Sequence, residues 1–156
     1  MLNGINAIDT RPFSPSAARF RRAISSISSS AGGLSRNLDD IKSAENESAQ
    51  VSAFSDMARS FNSLISKARR ASSRGNNLLT QGLAELAQSS ASELRRIGIT
   101  VRQDGSLRVD NGRMQTAAER GDIDRFVREN RQGNAFISGL SSMADMARRS
   151  PEAFFS

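Results

Sequence analysis

The chain has 156 residues, a net charge of +6 and a hydrophobic fraction of 37%, which fits one small domain or one domain plus a tail. It has no cysteine and no histidine, which excludes disulfides, thiolate metal sites, a Ser-His-Asp triad and the side chain most used for proton transfer near neutral pH. All eight aromatic residues are Phe, so a single large core is not expected, and narrow helix–helix seams suit the composition better.

Residues 1–13 show no sustained period and read as a mobile N-terminal segment, with no basic leader and apolar run of a cleavable signal peptide. Ser14 followed by Pro15 is a favourable helix start. From there Phe20, Ile24, Ile27, Ala31, Leu34, Leu38 and Ile41 recur at spacings of 4, 3, 4, 3, 4 and 3, which is a heptad seam. Gly32-Gly33 interrupts it at a cost of about 2 kcal/mol relative to alanines. A bend or break is expected there, with Ser35 or Asn37 capping a second helix.

A second seam runs through Val51, Phe54, Ala58, Phe61, Ile65 and Ala68. The register slips between Ile41 and Val51, which predicts a local change of supercoiling in a long helix ending near Ser72–Gly75. Asn76 or Asn77 then caps a helix striped by Leu79, Leu83, Leu86, Leu94 and Ile97, ending at Arg95-Arg96 before Gly98.

Residues 97–110 read as a β-hairpin. A two-residue Asp104-Gly105 turn would pair Val101 with Arg108. A three-residue loop, Gln103 to Gly105, pairs Val101 with Leu107 and Ile99 with Val109, and gathers all four apolar side chains on one face. It also sets Gly105 at the left-handed position of a type I turn plus bulge, so this register is preferred. An isolated hairpin is marginal in water, and its apolar face needs a helix to cover it.

Asp110 is expected to cap a short helix over 112–120, closed by Gly121. A second short helix over 122–131 presents Ile123, Phe126 and Val127, and Gly133 separates it from a last helix over 135–149, stopped by Pro151. Phe154-Phe155 are either frayed or docked. The predicted fold class is therefore mainly α, with coiled-coil-like long helices packed in a bundle and one small β-hairpin. Its segments are 1–13, a helical coiled-coil region 14–96, the hairpin 97–110, short helices and a C-terminal helix 111–149, and a tail 150–156.

The segment Leu94-Arg-Arg-Ile-Gly-Ile-Thr, then Gln103-Asp-Gly-Ser-Leu-Arg-Val-Asp110, Met114 and Ile123-Asp-Arg-Phe126 resembles a pattern in the flagellar filament-cap family (hook-associated protein 2). There a helix leads into an "iGIt…dGtLslD" hairpin, followed by a short helix, a "v..lF" segment and a long C-terminal helix. The likeness covers roughly residues 83–145. The chain is too short for that family's outer β-rich domains, and its Ser-rich first half looks only generically like the coiled-coil leg of flagellar axial proteins. The resemblance implies a small relative of the helical leg, exported through the flagellar type III apparatus to an extracellular, flagellar location. A cytoplasmic location is the alternative.

The charges fall in blocks: basic over 1–36, acidic over 37–58 and basic again over 59–74, which suits charge-matched helix packing better than a continuous polyanion footprint. The clusters Arg19/Arg21/Arg22 and Arg69/Arg70/Arg74 read first as solvated faces or partners of the acidic block. Aromatic residues for stacking on bases are scarce, which argues against nucleic acid. Asp39, Asp40, Glu45 and Glu47 lack an EF-hand loop and read as solvated surface, and Ala31-Gly-Gly-Leu34 lacks the Lys-Ser/Thr of a phosphate loop.

No catalytic residue, cofactor, metal or transmembrane segment is expected, and the chain does not read as an enzyme. The expected function is structural, acting through helix-mediated contacts with itself or with a flagellar or secretion-system component. The contact seam is Phe20, Ile24, Ile27, Leu34, Leu38, Ile41, Val51, Phe54, Phe61 and Ile65, and the hairpin residues are Ile99, Val101, Gly105, Leu107 and Val109. The alternatives are a basic cytoplasmic nucleic-acid-binding protein and a type III-secreted effector or adaptor.

Overall fold

A computed structural model describes residues 15–72, 77–130 and 136–155. The expected mobile segment 1–13, the Ser14 cap, Arg74, Gly75 and Gly133 lie outside them. The fold is a mainly α bundle with one antiparallel hairpin.

Helix α1 (Pro15–Ser43) runs unbroken through Gly32-Gly33, so the break there and the second helix capped by Ser35 or Asn37 do not occur. Packing on two sides outweighs the glycine cost. Ala31, Leu34 and Leu38 are fully buried, and Gly32 lies under the Arg148 side chain of the last helix. Ser28 also donates to the Arg148 carbonyl at 2.7 Å.

The register slip is a chain reversal rather than a change of supercoil. Asn46 caps α2 (Glu47–Ala71) by accepting from the Ala49 N–H at 2.8 Å. The two helices then pack antiparallel: Asn37 meets Ser60 in a hydrogen bond, while Lys67 donates to the earlier Ser30 at 2.8 Å. Exposed polar residues at 45–48 offer no apolar contact to carry a straight helix across the slip.

Asn77 caps α3 (Leu78–Ser89), accepting from the Thr80 N–H at 2.9 Å and donating to the Ala68 carbonyl of α2 at 2.8 Å. The single stripe expected from Leu79 to Ile97 divides at the buried Ser90, after which α4 (Ala91–Arg96) leads into the hairpin.

The hairpin joins β1 (Ile99–Val101) to β2 (Leu107–Val109) with Ile99 opposite Val109 and Val101 opposite Leu107, the register of the three-residue loop. Asp110 caps α5 (Asn111–Glu119), accepting from the Arg113 N–H at 3.0 Å. Then come α6 (Asp122–Asn130), α7 (Phe136–Arg149) and a 3₁₀ turn at Pro151–Phe155.

Contrary to the composition argument, the buried residues form one continuous core through every helix and the hairpin. Small residues make this possible with little apolar volume. Ala31, Ala53, Ala58, Ala68, Ala87 and Ala144 are all buried, and close approach brings α3 and α7 together where Gly139 faces Leu86. Two aromatic pairs lie in the core, Phe54 with Phe126 at 5.8 Å, edge to face, and Phe61 with Phe136 at 6.2 Å. The tail is docked: Phe155 meets Phe20 edge to face at 6.1 Å.

Candidate interaction site

The expected contact seam is internal. Ile27, Leu34, Leu38, Ile41, Phe54, Phe61 and Ile65 are buried in the chain's own core, and Ile24 and Val51 are half-buried. Phe20 alone of the ten stays open, at 42% exposure. Seams at heptad spacing are satisfied equally well by a partner chain or by a helix folded back, and here α1 and α2 satisfy each other.

The hairpin is a clamped brace. Val101 and Leu107 face each other between the hydrogen-bonded pairs of the ladder, so the Leu107 peptide groups point away from β1. Asn62 of α2 takes both, its amide donating to the Leu107 carbonyl at 2.8 Å and accepting from the Leu107 N–H at 2.7 Å. This closes the free edge of β2 where a third strand would otherwise pair.

The loop is held as firmly. Arg69 donates to the Asp104 carbonyl at 2.8 Å, and Gln88 donates to the Arg102 carbonyl at 3.0 Å. Asp104 accepts from the Ser106 hydroxyl at 2.7 Å and the Ser106 N–H at 3.0 Å. Those two bonds, with Arg69 and Arg102 nearby, hold its carboxyl below the usual range against a smaller opposing effect of burial. Ile99 and Leu107 are buried, Val101 and Val109 half-buried, and Thr100 and Arg108 point outward. The apolar face thus lies against the helices.

Charge-matched packing between helices is not what the ion pairs show, since Arg59–Asp56, which joins the basic and acidic blocks, lies within α2. Among the described residues they run within single helices, as Arg59–Asp56, Arg125–Asp122 and Arg148–Asp145, apart from Arg69–Asp104. Asp39, Asp40, Glu45 and Glu47 are all exposed, as are Arg19, Arg21, Arg22 and Arg70.

Two grooves of opposite charge emerge instead. Arg95 and Arg96 from the end of α4, with Arg113 and Arg120 from the two ends of α5, line a groove of about 300 Å³. Their guanidinium groups have no ion-pair or hydrogen-bond partner among the described residues, and the groove's one carboxylate, Asp122, is held by Arg125 at 3.3 Å. On the other side of the α5–α6 turn, Glu45, Glu47, Glu119 and Asp124 line a wider groove of about 850 Å³ with no cation among the described residues of its wall. Lys42 and Arg128 belong to a neighbouring cleft that shares Asp124.

Sequence blocks did not reveal either groove, because each draws its charges from segments far apart in the chain. The local signals were Arg95-Arg96, read as a favourable helix end, and Glu45 with Glu47, read as solvated surface.

Fold and surface together define a small helical bundle, braced by a hairpin, that presents charged grooves rather than an apolar seam. Comparison with protein-family models, curated proteins and solved structures found no match. No helix among the described residues is long and apolar enough to cross a membrane.

Proposed function

We propose that this chain is a structural assembly protein, similar to the helical leg of the flagellar filament cap and acting through protein–protein contacts rather than catalysis. The observation that carries the reading is the element order around the hairpin. A helix enters at α4, the hairpin turns on Asp104-Gly105, α5 and α6 come next, and α7 is the longer closing helix. That is the succession the resemblance implies for residues 83–145.

The clamp from Asn62 and Arg69 adds a physical reason for the arrangement, because it makes the hairpin a rigid brace on the long helix α2. Under this reading the chain leaves the cell by signal-peptide-independent type III export and works at the flagellum.

The test is a pulldown of purified hook-associated proteins and flagellin on the immobilised full chain. Specific retention of a flagellar component is expected. Retention of none, by a chain whose circular dichroism shows it folded, would overturn the assignment.

A further inference from the structure

We propose that the basic and acidic grooves are the two halves of one self-complementary interface, joining two copies of this chain about a two-fold axis beside the α5–α6 turn. The proposal rests on the assembly reading and names one partner for it, a second copy.

Both grooves border the same turn. Glu119 lines the acidic one, the next residue, Arg120, lines the basic one, and Asp124 lies on the acidic side just beyond. A two-fold axis at such a place sets each groove against its opposite on the partner, so the same charge match is made twice and the assembly closes at a dimer. An open head-to-tail chain would use each match only once.

The chemistry of the walls fits carboxylates. Arg96 and Arg113 offer planar guanidinium forks without partners among the described residues, the geometry that grips a carboxylate with two parallel hydrogen bonds. Glu45 and Glu47 make no hydrogen bond or ion pair among the described residues; Glu45 lies on the exposed turn between α1 and α2, and Glu47 is the exposed first residue of α2.

A nucleic acid fits less well. A polyanion lying across the α5–α6 turn meets the acidic groove at once. The nearest aromatic side chain, Phe126, is 4% exposed and gives no surface for base stacking. Charged contacts of this kind depend on salt, since exposed pairs are screened within about 10 Å at 0.1 M ionic strength.

Sedimentation velocity of the full chain, at about 50 mM and about 500 mM NaCl, reads the equilibrium across the range in which screening becomes strong. The chain is expected to dimerise at low salt and dissociate at high salt. Two charge-reversed variants extend the test, Arg96→Glu/Arg113→Glu and Glu45→Arg/Glu119→Arg, all four positions being exposed. Glu is favourable in the first turn of α5 and Arg in its last, so neither change at α5 opposes the helix dipole.

Each variant alone should dimerise at least about tenfold more weakly, the equivalent of about 1.4 kcal/mol. An equimolar mixture should recover the dimer, because reversal on both sides makes every groove pair attractive again. A wild-type monomer at about 100 µM, well above the micromolar affinities of ordinary transient pairs, overturns the proposal. So does a mixture that fails to recover, and so does retention on DNA that Arg96→Glu/Arg113→Glu abolishes while the wild type stays monomeric. A monomer that still retains a flagellar protein removes this interface and leaves the assembly reading standing. A salt-sensitive dimer that retains none supports the interface and removes the flagellar assignment.

Discussion

Substituting alanine at Gly105 tests the docking of the hairpin loop most directly. Gly105 has φ +91°, and a Cβ built there would stand 2.7 Å from the Cβ and 3.0 Å from the Cα of Ala84 on α3. Two costs combine. Holding a non-glycine residue in the left-handed region costs about 1–2 kcal/mol. Forcing an extra carbon against helix backbone costs about 1–3 kcal/mol more, because Ala84 Cα has no rotamer by which to yield. The sum is about 2–5 kcal/mol, and at about 2–4 °C per kcal/mol for a chain of this size the melting temperature should fall by roughly 10 °C.

Gly121 is the control. It has φ +80°, but nothing lies within 4 Å of a Cβ there. Gly121→Ala carries only the conformational cost, about 1–2 kcal/mol, and a fall of about 4 °C. Both changes restrict the unfolded chain equally, so the difference between them isolates the loop's contact with α3. Thermal melts by circular dichroism and urea unfolding both read it. Equal losses for the two variants would refute the packing of Gly105 on Ala84.

Asn62→Leu keeps the side chain's size but leaves the buried Leu107 N–H and carbonyl without partners. A loss of about 2–4 kcal/mol is expected in urea unfolding, and faster exchange of the Leu107 amide hydrogen should report the opened edge. Phe54→Ala should cost about 3–5 kcal/mol, because Phe54 is fully buried against Phe126; its melting temperature at about 500 mM NaCl should not vary with protein concentration if the seam is internal. Asp104 has a depressed folded-state pKa, so its contribution is fully present above the unfolded value of about 3.9 and is lost as pH falls through the lower folded value. Asp104→Asn should therefore flatten the acid limb of the stability curve below about pH 4, and an unchanged limb would deny the Ser106 and Arg69 contacts their role.

Much of the local architecture was legible in the sequence. The caps at Asn76 or Asn77 and at Asp110, the stop at Pro151 and the pairing of Ile99 with Val109 all rest on signals within a few residues of one another. A cap needs only a side-chain oxygen near the next turn's N–H groups, and a hairpin register needs only loop length and alternation. The chain reversal at 44–46 had such a signal too, Asn46 with Glu47 in the first turn, but the strong seams on either side hid it. The clamp by Asn62 had none, since no pattern in α2 marks one polar residue as facing a strand edge 45 positions later.

By itself the sequence determined that this protein is helical with one hairpin, which residues are apolar enough to be buried, and how the hairpin pairs. Only the tertiary structure decided what covers the apolar seams, that α1 continues as one helix through Gly32-Gly33, and that Arg95, Arg96, Arg113 and Arg120 share a wall. The physical reason is one of range. Helix periodicity, capping and turn chemistry act over a few residues of chain. By contrast, the choice between an internal and an external partner for a heptad stripe depends on contacts between segments far apart in sequence, and so does the summing of charges from separate helices into one groove.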